Sequence, residues 1–180
     1  EEINMRLDRT ISSGKYAEVE KSAKQYLKDV FKNTEEMSKI LNDPYIAHSL
    51  TIDNYKEDGP DFKETKEYLT KTKQELQNGV DTYKEFFTEE KIMSYINDKN
   101  LSEFYKKFYR EKIMGDPANK EDIQLVEDSI NEVIDALNKS EDVIDFLIKN
   151  KYSWTIEGEN IVFNDNNTLD QYNVLIMKLL

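Results

Sequence analysis

Residues 152–163 read Tyr-Ser-Trp-Thr-Ile-Glu-Gly-Glu-Asn-Ile-Val-Phe, the one clear β signal in the chain. Tyr152, Trp154 and Ile156 alternate with Ser153 and Thr155. The turn cluster Glu157-Gly158-Glu159-Asn160 follows, and Ile161 and Phe163 then alternate around Val162. Two short strands about a turn, sharing one apolar face, predict a β-hairpin. A lone hairpin is marginal in water, so its apolar face has to pack on helices or on a partner.

Upstream of the hairpin the apolar residues recur at helical spacing. Ile3, Leu7 and Ile11 mark a short helix over 3–11, which Ser12-Ser13-Gly14 breaks. A long helix is predicted over 15–42 from Tyr16, Val19, Ala23, Tyr26, Val30, Met37 and Ile40, with polar Asn33 in one slot. Asn42-Asp43-Pro44 ends it, because proline disfavours helix in the residue before it. Residues 44–59 read as a loop that packs down through Tyr45, Ile46, Leu50, Ile52 and Tyr55. A second long helix is expected over 61–97 from Phe62, Leu69, Thr72, Leu76, Tyr83 and Phe86, with Thr65 and Gly79 as weak slots.

Two helices of similar period, joined by about 17 residues, predict an antiparallel helical hairpin. A short helix over 101–114 follows, stopped by Met114-Gly115-Asp116-Pro117. A third long helix is expected over 118–150, where Lys139-Ser140-Glu141-Asp142 resembles a restart. After the hairpin, Asn164 to Thr168 cap a last helix over 168–180 with Leu169, Tyr172, Ile176 and Leu179 on one face. The expected fold is mostly α: an irregular antiparallel helical bundle with a long helical hairpin and a small C-terminal β-hairpin. It reads as one domain, 1–180, with 151–180 as a C-terminal subdomain.

Composition narrows the chemistry. The chain has 180 residues, with 37 acids against 25 bases and a net charge of −12. An acidic chain of this kind does not fit a nucleic-acid backbone or an anionic membrane surface as its main partner. Twenty aromatic residues (11 Tyr, 8 Phe, 1 Trp) supply enough large side chains for a core. There is no cysteine, hence no disulfide, thiol nucleophile or cysteine metal site. No apolar run is long enough to cross a membrane. The chain opens on Glu1-Glu2 without an initiator methionine, so an upstream segment, natural or cloned, is expected to have been removed; a natural one could have been a signal or membrane anchor.

Candidate sites are few. His48 is the only histidine, so neither a zinc site with two histidines nor a bundle di-iron site can be built. Asp53-Asn54-Tyr55-Lys56-Glu57-Asp58-Gly59 and Asn164-Asp165-Asn166-Asn167 are rich in oxygen ligands. Neither has glycine at position 6 of a calcium loop, so they read as turns and caps. Lys106, Lys107, Arg110 and Lys112 interleave with Tyr105, Phe108 and Tyr109, a pattern that can bind single-stranded nucleic acid. Helical spacing instead puts the rings and most of the bases on different faces. No serine lies in a nucleophile-elbow context and no phosphate-binding glycine loop is present. No catalytic, metal-binding or cofactor-binding residue is therefore expected. The candidate interface is Tyr152, Trp154 and Ile156, since aromatic anchors are enriched at interfaces.

The spacing Trp154-x-Ile156-x-Gly158-x-x-Ile161-x-Phe163, followed by Leu169 and Tyr172-Asn173, resembles the C-terminal end of uncharacterised clostridial-type proteins. Those are lipoproteins or membrane-anchored proteins of Gram-positive bacteria with an extracellular helical domain. The resemblance covers residues 150–180 and carries no catalytic residues. It implies a non-enzymatic, envelope-anchored interaction module outside the cytoplasm. Its partner would be a protein or cell-envelope component, and its membrane contact would come only through an upstream anchor. The alternative is a bundle that holds a small molecule between helices, near Tyr and Trp residues. A cytoplasmic location is the alternative to the envelope.

Overall fold

The computed structural model describes residues 7–114 and 119–179. Its elements run α1 (Lys15–Leu41), α2 (Pro44–His48), α3 (Ile52–Glu57), α4 (Lys63–Phe86), α5 (Glu89–Asn97), α6 (Glu103–Met114), α7 (Asn119–Lys149), β1 (Trp154–Glu157), β2 (Asn160–Phe163) and α8 (Asn166–Met177). The fold is mostly α with a small antiparallel hairpin near the C-terminus, as the patterning predicts. Of the helix expected over 3–11, residues 3–6 lie outside the described residues; Leu7 and Asp8 are helical and Arg9–Ser13 are not. The stop expected at Gly115-Asp116-Pro117 also lies outside them.

Contacts group the chain into two units. The first is Glu1–Ser38 with Asn78–Glu127, and the second is Lys39–Gln77 with Asp128–Leu180. The divisions fall inside α1, α4 and α7, so each long helix gives one stretch to each unit. Segment 151–180 groups with the second unit.

In the first unit, Val19 and Tyr26 of α1 pack with Phe86, Ile92, Ile96, Leu101 and Tyr109. The α1 and α4 stretches run antiparallel here. Tyr26 meets the Phe86 ring edge-on at 6.3 Å, while Asn33 donates its side-chain amide to the Gly79 carbonyl at 3.3 Å. Close approach at Gly79 explains its place in the stripe: a Cβ there would stand 2.6 Å from Met37 Cγ. Half-buried Tyr95 donates to Asp29 at 2.7 Å and buried Tyr109 to the Ile92 carbonyl at 3.0 Å, so both of these rings have their polar ends satisfied.

In the second unit, Leu69, Leu76, Leu137, Val143, Ile144 and Leu147 are buried. Lys66 pairs with Asp145 and Lys73 with Glu141, both at 2.5 Å, an ordering that makes α4 and α7 antiparallel. The hairpin register places Trp154 opposite Phe163 and Ile156 opposite Ile161, which puts all four on one face. Its turn has Gly158 at φ 63°, and glycine at the first central position suits a type II′ turn matched to strand twist. That face packs inward. Trp154 is 7 % exposed, donates its indole N–H to the Leu147 carbonyl at 2.9 Å, and lies 6.0 Å from Phe62 and 6.4 Å from Tyr55. Phe62 holds a left-handed backbone (φ 46°) while wholly buried.

Three expectations are corrected. Residues 44–59 are not loop throughout: α2 starts with Asp43 accepting from the Tyr45 amide and Pro44 in the first turn, and α3 starts with Thr51 accepting from Asn54. The helix expected over 61–97 is two. Thr88 caps α5 by accepting from the Lys91 amide at 3.2 Å, with Glu89 and Glu90 in the first turn. Ile92 and Ile96 lie about half a turn out of phase with Leu76, Tyr83 and Phe86, so the apolar stripe changes side at this break. Ser140 does not restart a helix; its hydroxyl donates to the Ala136 carbonyl at 3.0 Å and α7 runs on unbroken.

Candidate binding site

The expected interface residues part company in the structure. Trp154 belongs to the interior, Ile156 is half-buried beneath the hairpin face, and Tyr152 precedes β1 and is 87 % exposed. Of the three, only Tyr152 turns its ring to solvent. Lys151 lies over that ring at 5.5 Å and pairs with Asp61 at 3.0 Å.

The polar clusters serve local structure. His48 stands 3.4 Å from Glu57 and 3.3 Å from the Thr51 hydroxyl. Asn54 is buried, donating to the Ser49 carbonyl at 2.8 Å and contacting the Thr65 and Tyr45 hydroxyls. Asp58 accepts from the Thr65 amide at 2.7 Å and the Glu64 amide at 3.3 Å, closing the start of α4. Asp165 caps α8 by accepting from the Thr168 amide and hydroxyl, which hold its carboxyl below its usual range. Among the described residues, no group of three or more His, Cys, Asp or Glu is placed to hold a metal ion. No described helix is long and apolar enough to cross a membrane.

Three of the four bases on α6 are similarly engaged. Lys106 reaches the Asn97 carbonyl at 3.1 Å, Lys107 faces Glu111 at 3.8 Å, and Arg110 pairs with Glu89 at 2.8 Å. Tyr109 is fully buried, and Tyr105 and Phe108 meet Tyr16 edge-on at 5.1 and 5.6 Å.

Among the described residues, each unit carries an apolar concave surface. In the first unit a groove of about 700 Å³ opens between the start of α1 and the end of α6. Its apolar lining is Ile11, Tyr16, Val19, Ala23, Phe108 and Ile113, with buried Tyr109 behind. The size falls in the range of small-molecule sites. The non-helical stretch 9–13 forms one lip, held by Glu20, whose carboxylate accepts from the Ile11 amide at 3.1 Å and from the Ser12 amide at 2.8 Å. Lys24 pairs with the same carboxylate at 2.6 Å, and the Ser12 hydroxyl donates to it. These partners, Lys24 first, push the Glu20 carboxyl down to about 2.

In the second unit a trough of about 390 Å³ is lined by Phe146, Asp170, Gln171, Val174 and Leu175. It lies beside α8, a helix with no buried residue. Val174 and Met177 are 55 % and 70 % exposed. Tyr172 holds the helix down, its ring 5.1 Å from Phe163 and its hydroxyl 3.3 Å from that of Tyr55.

Sequence patterning missed both surfaces. Tyr16 and Val19 read as one continuous core stripe, although Tyr16 is 43 % exposed. The available signal was Ser12-Ser13-Gly14, a break that leaves the first turns of α1 without a continuous helical neighbour before them. Comparisons with protein-family models, with curated proteins and with solved structures give no match.

Proposed function

We propose that this chain is a non-enzymatic interaction module of the Gram-positive cell envelope, working outside the cytoplasmic membrane and contacting a protein partner through its second unit. The observation that carries this reading is α8: Val174 and Met177 face solvent beside an apolar trough floored by Phe146. Exposed apolar residues gathered around a concave surface are the kind of patch that partners cover. Placement at the envelope rests on the resemblance of residues 150–180 to anchored extracytoplasmic proteins.

The experiment expresses the gene from its natural start, with a photo-cross-linking amino acid at Val174. Cells are fractionated, and intact cells are treated with protease. A membrane-associated chain shaved from outside, giving one discrete adduct that Met177→Glu abolishes, is the expected result. A protease-protected soluble chain would remove the envelope placement. Absence of any adduct would remove α8 as the contact surface.

The groove of the first unit favours a second reading, a binder of a small molecule. A ligand held there would lie near Tyr16 and Tyr109 rather than near a tryptophan, because Trp154 lies in the core of the other unit.

A further inference from the structure

The groove's charges say which class of molecule it takes. Three ionisable side chains of fixed charge line it: Glu20, Lys24 and Lys112. Glu20 offers nothing to a cationic ligand, since its two oxygens already accept from the Ile11 and Ser12 amides, the Ser12 hydroxyl and Lys24. Lys24 in turn is drawn to Glu20 and donates to the Arg9 carbonyl. Lys112 differs. It lies over the Phe108 ring, 5.7 Å from the centroid, with no carboxylate partner among the described residues. One cation without a carboxylate partner among the described residues, at the rim of an apolar channel, is unusual in a chain of net charge −12. It complements a ligand with an apolar body and a single negative head.

We propose that this groove binds a monomeric long-chain carboxylate, with the alkyl chain along Val19, Ala23 and Ile113 and against the side of the contacting Tyr16–Phe108 ring pair, and the carboxylate at Lys112. The proposal rests on the second reading above and adds its ligand class. Burial of a chain against aliphatic and aromatic walls supplies most of the affinity. The exposed lysine selects the head group by charge, a contribution of modest size because solvent screens it.

The test titrates the full chain with decanoate below its micelle concentration, and in parallel with decanol, decyltrimethylammonium and anionic phosphatidylglycerol vesicles. Binding is read by calorimetry and by methyl NMR signals of Val19, Ala23 and Ile113. Decanoate should bind one per chain and shift those methyls. Lys112→Glu should weaken decanoate roughly fivefold while leaving decanol unchanged, and Ala23→Trp should block both. Lys112 is exposed, so its variant keeps the test decisive even where Ala23→Trp disturbs folding. Equal binding of decanoate and decanol, indifferent to Lys112→Glu, would overturn the carboxylate assignment and leave a ligand site standing. Preference for decyltrimethylammonium would do the same. Vesicle binding without monomer binding would replace the ligand with a membrane surface. Groove methyls that respond to none of the probes would overturn both the ligand class and the ligand-binding reading.

Discussion

Trp154 and Tyr152 sit two residues apart and should respond to substitution in opposite ways. Trp154→Ala opens a cavity against Phe62 and Tyr55 and leaves the Leu147 carbonyl without its donor. It should cost roughly 3–5 kcal/mol in urea unfolding. Tyr152→Ser removes a ring that is 87 % exposed and should stay within about 0.5 kcal/mol. Similar losses at the two positions would contradict the burial assigned to Trp154. Glu20 gives a second test at this scale. Its carboxyl titrates near 2 in the folded chain against 4.5 as the ordinary value. A depressed folded value means that its stabilisation is complete above the unfolded value and is lost as pH falls from about 4.5 towards 2. The stability difference between the native chain and Glu20→Gln should therefore be flat near neutral pH and shrink across that acid window. A difference that stays flat through that window would show the carboxylate to be unpaired.

At the scale of elements, α1 and α4 meet at Gly79, and the fit is testable as a pair. Alanine normally stabilises a helix interior over glycine by about 1 kcal/mol. Here a new Cβ would stand 2.6 Å from Met37 Cγ and 2.9 Å from its Sδ. Gly79→Ala alone should therefore destabilise by roughly 1–3 kcal/mol, the usual cost of overpacking. In a Met37→Ala background the same change should become neutral or stabilising. Additive effects in the double-mutant cycle would mean that the two helices do not touch there. The last helix depends on a single cap. Asp165→Ala should weaken the start of α8 and raise amide hydrogen exchange in α8 well before exchange in α7. Tyr172 and its contact with Tyr55 then remain as the principal tie holding α8 to the rest of its unit.

The whole molecule carries a net charge of −12, with 13 acids against 5 bases in residues 119–180. It should pass unretained through immobilised DNA at low salt, since phosphate binding needs uncompensated cations; retention that declines with salt would overturn the charge argument. Much of the fold could be read from the chain. Period-3.6 stripes mark α1, α4 and α7, and strict alternation with a glycine turn marks the hairpin, because both signals arise from geometry within a few residues. Local capping chemistry at Thr51 and Thr88 was also present, and at Thr88 it coincides with a change of side in the apolar stripe, so that break too was written in the sequence. The sequence by itself determined helix, strand and net charge, along with the absence of cysteine chemistry. Only the tertiary structure decided which apolar residues remain outside: Trp154 goes in, while Tyr152, Val174 and Met177 stay out, and Tyr16 and Phe108 become the walls of a groove. Burial depends on which distant faces meet, and residues close in the chain do not record that.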